Sequence, residues 1–124
     1  VLVSLGGDLR CVGTAPAPTP EAWGIAVEHI DGLLLALSHG AVATSTITKR
    51  RWGADRHHVI DPRTGSSART AVATATVVAG TAAAAEVAAT VALLDGDPPA
   101  AEPALLVHHD GRVVATPPMQ RYLR

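Results

Sequence analysis

The run His57-His58-Val59-Ile60-Asp61-Pro62-Arg63-Thr64-Gly65 brings a titratable base, a carboxylate, a rigid turn and a guanidinium into one short segment. An imidazole at His58 can take a proton near neutral pH. Further along, an Ala-rich stretch carries Glu86 and Thr90, whose i, i+4 spacing puts both oxygens on one face of a helix. A base on one segment and a carboxylate plus a hydroxyl on another suit metal-assisted chemistry on a phosphate ester.

Each of these features also has a plainer reading. His58 fits a strand-end histidine with a satisfied hydrogen bond, and His57 must point to the opposite face of an extended segment, so one of the pair at most serves a site. Asp61 through Gly65 reads locally as a turn: Asp61 bonds the backbone two residues on, Pro62 fixes φ, and Gly65 accepts a left-handed conformation. Glu86 and Thr90 fit a polar stripe facing solvent. Yet a carboxylate in a helix otherwise built of Ala, Val and Leu is costly unless it is paired, solvated or bound to a cation. A hard cation such as Mg²⁺ prefers such oxygen ligands and keeps positions open for phosphates. Gly6-Gly7-Asp8 admits a ligand against bare backbone or simply turns the chain, and it lacks the spacing of a dinucleotide fingerprint or P-loop. His108-His109-Asp110 reads as an exposed turn, and Cys11 as a small hydrophobe.

The elements that must position these groups are mostly strands. Residues 1–5 read as a buried strand ending at Gly6-Gly7, and 14–20 as a Pro-rich exposed loop. Residues 23–29 alternate like a strand, Asp31-Gly32 is a hairpin turn, 33–38 pair back, and His39-Gly40 turns again. A β-branched strand is expected over 41–48, a basic connection over 49–56, and a short strand over 57–60 stopped by Asp61-Pro62. Another strand is expected over 70–78. Thr81 then caps a helix over 82–94, with Gly96 as its stop and Pro98-Pro99 beyond. Residues 105–108 and 113–116 flank the hairpin signal Asp110-Gly111, and 119–124 read as a polar tail. Many strands around one principal Ala-rich helix make the class α+β with a mostly antiparallel sheet.

Composition bounds the function. The chain has 124 residues, one domain's worth, with 48% hydrophobic residues but only 2% aromatic. Such a core is built from small, closely approaching elements. A net charge of −1 gives no general pull toward nucleic acid, and scarce aromatics argue against base-stacking platforms. The single Cys11 excludes an intrachain disulfide and leaves the redox compartment open. No apolar run approaches the roughly 18–20 residues needed to span a bilayer. The sequence opens on Val-Leu-Val inside a strand-like segment without an initiator Met, so it is expected to be the C-terminal piece of something longer. The abundance of Ala and of Arg over Lys fits a bacterial genome of high GC content.

Taken in order, these segments resemble the ApbE family, the FAD:protein FMN transferases. Gly6-Gly7-Asp8 matches the family's Gly-Gly-Asp strand end, and Trp23 its Trp-containing strand. Ala43-Thr44-Ser45-Thr46 stands at the Ala-Thr-Ser-Gly stretch. His58 through Gly65 matches His-x-x-Asp-Pro-x-Thr-Gly in full, and Ala85-Glu86-Val87-Ala88-Ala89-Thr90 stands at the helix motif Ala-Asp-x-x-x-Thr. The resemblance implies transfer of FMN from FAD to a threonine hydroxyl of an acceptor flavoprotein, with Mg²⁺ and release of AMP. It implies that His58 is the catalytic base, that Glu86 and Thr90 are metal ligands, and that Gly6, Gly7, Asp8, Ser45, Val59 and Asp61 lie at the cofactor. Some relatives instead hydrolyse FAD to FMN and AMP, and a non-catalytic flavin-binding protein is a further alternative.

Two departures stand out. Glu86 replaces the usual Asp and extends it by one methylene; Thr46 replaces the usual Gly beside the flavin. The resemblance also implies an N-terminal portion, not in this sequence, that supplies much of the FAD site. Any membrane association would come through an anchor there. The sequence leaves the compartment open between extracytoplasmic and membrane-anchored, and cytoplasmic.

Overall fold

The computed structural model describes residues 1–16, 22–98 and 100–124. The first strands are β1 (Leu2–Leu5) and β2 (Asp8–Val12), followed by the pair β3 (Trp23–Ala26) and β4 (Leu34–Leu37). The long strand β5 (His39–Thr46) leads into four two-residue strands, β6 (Arg51–Trp52), β7 (Arg56–His57), β8 (Ile60–Asp61) and β9 (Ser66–Ser67). After them come β10 (Val72–Ala79), the helix α1 (Ala82–Asp95), β11 (Ala104–His108), β12 (Val113–Ala115) and a 3-10 helix, Pro117–Tyr122. The fold is α+β, with one six-stranded antiparallel sheet in the order β1-β2-β5-β10-β11-β12.

The two faces of this sheet are covered differently. α1 lies on one, where Ala41, Ala43 and Val77 meet Ala85 and Ala89. Small side chains on both partners let helix and sheet approach closely, which is how a core without phenylalanine closes up. On the other face Val42, Val78, Cys11 and Leu105 pack against Ile25, Leu35 and Leu37 of the β3–β4 hairpin and against Met119. Because β10 is covered on both faces, Val72 to Val78 are all buried.

Local signals set the helix ends. Thr81 accepts a hydrogen bond from the Ala84 N–H at 3.2 Å and begins α1. Gly96, at φ 73°, ends it in the left-handed conformation, with its N–H on the Ala92 carbonyl. The Asp31-Gly32 and Asp110-Gly111 turns also join paired strands, β3 to β4 and β11 to β12.

Elsewhere the structure corrects the sequence reading. β1 is an exposed edge strand rather than a buried one, because it pairs only with β2. β2 went unseen, since Gly6-Gly7 closes a tight hairpin back into the sheet. His39-Gly40 is not a turn but the start of β5: Gly40 has φ 134°, and an added Cβ would sit 3.1 Å from the Ala79 carbonyl oxygen of the neighbouring strand. The expected strand over 57–60 is broken into β7 and β8. The polar tail is a packed closure. Met119 is fully buried, and the Arg124 N–H donates to the Leu34 carbonyl at 2.9 Å. Residues 17–20 of the Pro-rich loop, and Pro99, lie outside the described residues. Among the described residues no helix is long and apolar enough to cross a membrane.

Candidate functional site

A cavity of about 870 Å³ is lined by residues of the six-stranded sheet, the β3–β4 hairpin and α1. Gly6, Gly7 and Asp8 enter it from the β1–β2 turn, Thr44, Ser45 and Thr46 from β5, His58 and Val59 from the link between β7 and β8, and Glu86 and Thr90 from α1. Separate parts of the chain therefore supply one concavity, the usual form of a small-molecule site.

β-Strand alternation sorts the β5 contributions. Thr44 and Thr46 face the β3–β4 side, and Ser45 faces α1. The Ser45 Oγ lies 3.0 Å from the Thr90 Oγ1 and ties strand to helix at the cavity wall. The Thr44 and Thr76 hydroxyls, opposite each other in register, are 2.9 Å apart. Thr46, at the family's glycine position, bonds the Thr74 and Thr48 hydroxyls at 3.0 and 2.8 Å and donates to the Ala73 carbonyl at 3.0 Å. Its hydroxyl is thus used within the strand pair, and the side chain is buried.

His57 and His58 do point opposite ways. His57 is buried, with Nε2 3.0 Å from the Ala68 carbonyl oxygen, whereas His58 is exposed and lines the cavity. Glu86 is exposed on the cavity side of α1; the ion pairs among the described residues are Lys49–Glu28, Arg63–Asp61 and Arg63–Asp95, and Glu86 enters none. Its carboxylate and the Thr90 hydroxyl are hard oxygen donors that suit Mg²⁺. Among the described residues no three His, Cys, Asp or Glu side chains gather at one point.

Asp61 is placed apart from the other candidates. It does not line the cavity. Its Oδ1 accepts from the Arg63 Nε and the Arg63 N–H, both at 2.9 Å, and its Oδ2 from Nη2 at 2.9 Å. These bonds, first the guanidinium and then the backbone N–H, hold its carboxyl below the usual range. The Thr64 and Gly65 N–H groups donate to the Asp61 carbonyl, completing the turn. Arg63 also reaches Asp95 at 3.3 Å and so braces the turn against the end of α1.

Sequence reasoning passed over several lining residues: Thr44 and Thr76, the apolar wall of Ile25, Val27, Leu35 and Val42, and the mouth residues Glu28, Lys49 and Arg50. Alternation over 41–48 was the available signal for Thr44. Nothing local marks Ile25, Val27, Glu28 and Leu35, which join the cavity only through the placement of β3 and β4, or Thr76, which joins it by pairing with Thr44. His109 and Asp110 form the expected exposed turn, whereas His108 ends β11 and is buried, with Arg112 Nη2 3.2 Å from its Nδ1.

The α+β fold is shared with solved ApbE proteins. A solved ApbE protein from Thermotoga maritima superimposes with a TM-score of 0.85 at 26% identity, covering 100% of this chain and 45% of that one. The flavin transferase ApbE from Vibrio cholerae gives 0.72 at 23% identity, covering 98% and 43%. The Pseudomonas stutzeri flavinyl transferase ApbE in its apo form gives 0.76 at 20% identity, covering 99% and 41%. No curated protein sequence matches the chain. The ApbE family's sequence pattern matches residues 1–115, and the chain belongs to that family. It spans less than half the length of these solved relatives.

Proposed function

We propose that this chain is the C-terminal part of an ApbE domain that moves FMN from FAD to a threonine hydroxyl of an acceptor flavoprotein, with Mg²⁺ and release of AMP. The observation that carries this reading is the meeting of His58, Ser45, Glu86 and Thr90 on one cavity in a chain of the ApbE family. His58 takes the proton of the acceptor's threonine as its oxygen bonds the flavin-side phosphorus. The bond from that phosphorus to the bridging oxygen breaks, and AMP leaves with the oxygen and its electron pair. Gly6, Gly7, Asp8, Ser45 and Val59 wall the cofactor. The Glu86 carboxylate and Thr90 hydroxyl would hold the cation, which supplies neutralisation of charge on the pyrophosphate.

Surface chemistry supports the partial-domain reading. α1 is apolar on its outer side as well, with Val87 63% and Val91 41% exposed. Large exposed apolar residues grouped on one helix face mark a surface that a partner normally covers. Val3 and Leu5 of β1 are likewise exposed. Neither Trp23, Trp52 nor Tyr122 lines the cavity, so an isoalloxazine ring finds no aromatic partner in it. An N-terminal portion of the domain would cover these surfaces and supply the remaining walls.

The hydrolytic alternative, FAD to FMN and AMP, rests on the exposure of His58, which water can reach as readily as an acceptor hydroxyl. One experiment separates the readings. Full-length protein is incubated with FAD, Mg²⁺ and a candidate acceptor. Flavin fluorescence retained on denatured acceptor supports transfer; free FMN and AMP with unlabelled acceptor supports hydrolysis; unchanged FAD refutes both.

A further inference from the structure

The segment carrying His58 is fastened at both neighbours of that residue. On its N-terminal side, His57 is held by three hydrogen bonds. Its N–H donates to the Ser67 Oγ at 3.0 Å, its carbonyl accepts from the same Ser67 hydroxyl at 2.9 Å, and its imidazole Nε2 lies 3.0 Å from the Ala68 carbonyl. On the C-terminal side the Val59 carbonyl accepts from the Ala68 N–H at 2.9 Å. His58 itself enters none of these bonds and lines the cavity.

A carbonyl only accepts, so the His57 Nε2 carries the proton in this contact. Its Nδ1 is then a buried acceptor, and it has no partner among the described residues. Buried polar atoms are rarely left unpaired, and each exception calls for a reason. An apolar side chain would fill the same space without that cost. What an apolar side chain cannot supply is the bond to the Ala68 carbonyl.

We propose that His57 and Ser67 are positioning residues: together they clamp the backbone on which the base His58 is carried and fix the reach of its imidazole into the cavity. Neither side chain lines the cavity. The clamp joins β7 to β9 across the turn at Asp61 to Gly65, so the tight turn between them serves as the spacer of a rigid frame. The proposal rests on the reading of His58 as the base.

The test compares Ser67→Ala, His57→Phe and His57→Gln in the full-length protein, with Ser67→Thr as the conservative partner. Flavin transfer is followed at varied FAD. Displacing a catalytic group by about 1 Å can cost about 10²-fold. Ser67→Ala and His57→Phe are therefore expected to lower kcat by about 10- to 10²-fold while KM for FAD stays within about twofold. His57→Gln, whose amide can still donate to the Ala68 carbonyl, restores most of the rate, as does Ser67→Thr. If His57→Phe fails to fold, Ser67→Ala and its Thr partner decide alone. A second readout needs no activity: the His58 ring resonance, assigned by its loss in His58→Ala, is expected to move in Ser67→Ala and to return in Ser67→Thr. Wild-type kcat in folded Ser67→Ala, or a His58 resonance unmoved by it, overturns the clamp. A wild-type protein that transfers no flavin overturns the functional reading, and the resonance then decides the clamp independently.

Discussion

The Ser45 Oγ and the Thr90 Oγ1 stand 3.0 Å apart, one from the middle of the sheet and the other from α1. This bond fixes the helix face that also carries Glu86, one turn earlier, against the strand that lines the cavity. A residue expected at the cofactor and one expected at the metal thus share a hydrogen bond. Loss of this bond should be felt in both stability and cation use. Ser45→Ala and Thr90→Val are each expected to destabilise the fold by about 1 kcal/mol, with a coupling of about 0.5–1 kcal/mol between them. Urea denaturation of the two single variants and the double variant measures it, and simple additivity would show that the bond contributes nothing.

His58→Ala in the full-length protein should lower flavin transfer by about 10²- to 10⁴-fold, the usual worth of a positioned acid–base group. FAD binding should largely survive, because the side chain is one of many lining groups. Transfer at the wild-type rate would remove His58 from the role of base.

Chelation of divalent cations should abolish activity and Mg²⁺ should restore it. Glu86→Gln keeps the side chain's size and removes its charge, and should raise the Mg²⁺ concentration for half-maximal activity by at least about 10²-fold. That is at or above the upper end of the roughly 10–100-fold typical of losing an outer partner. An unchanged Mg²⁺ requirement in this variant would show that Glu86 is merely solvated.

The Asp61 turn should report pH. Its carboxyl is held low by the Arg63 guanidinium and then by the Arg63 N–H, so its contribution to stability is complete above the ordinary aspartate range of about 4. It should be lost as pH falls through the lowered folded value. Asp61→Asn should therefore lower Tm at neutral pH, and the gap to the wild type should close on acidification. A gap of constant size down to about pH 2 would mean that the charge plays no part.

The 124-residue chain alone should fold but bind FAD weakly, because its cavity contains no aromatic partner for the flavin. Calorimetry with FAD and Mg²⁺ is the check. A Kd near or below about 1 μM, corresponding to about −8 kcal/mol, would show that these walls suffice without a further portion of the domain.

The sequence by itself determined what depends on neighbours along the chain. The Thr81 cap, the Gly96 stop, the Asp31-Gly32 and Asp110-Gly111 turns and the Asp61–Gly65 turn are each set by bonds spanning a few residues, and all were legible. Helical period placed Glu86 and Thr90 on one face, and strand alternation set His57 against His58. The motif His58–Gly65 pointed to the family, which its matching pattern over residues 1–115 established. Only the tertiary structure decided which faces meet. Alternation says that Ser45 and Thr44 point apart, but not that α1 covers one and the β3–β4 hairpin the other. Nothing local predicts that Gly40 must pass the Ala79 carbonyl, or that Met119 fills the far side of the core. The Asp61 carboxylate, expected from its motif at the cofactor, is bonded to Arg63 two residues away, a pairing that the motif does not state. The gathering of Gly6, Ser45, His58 and Glu86 at one cavity is a property of strand order, which arises from non-local pairing and packing and has no signature in any short window of the chain.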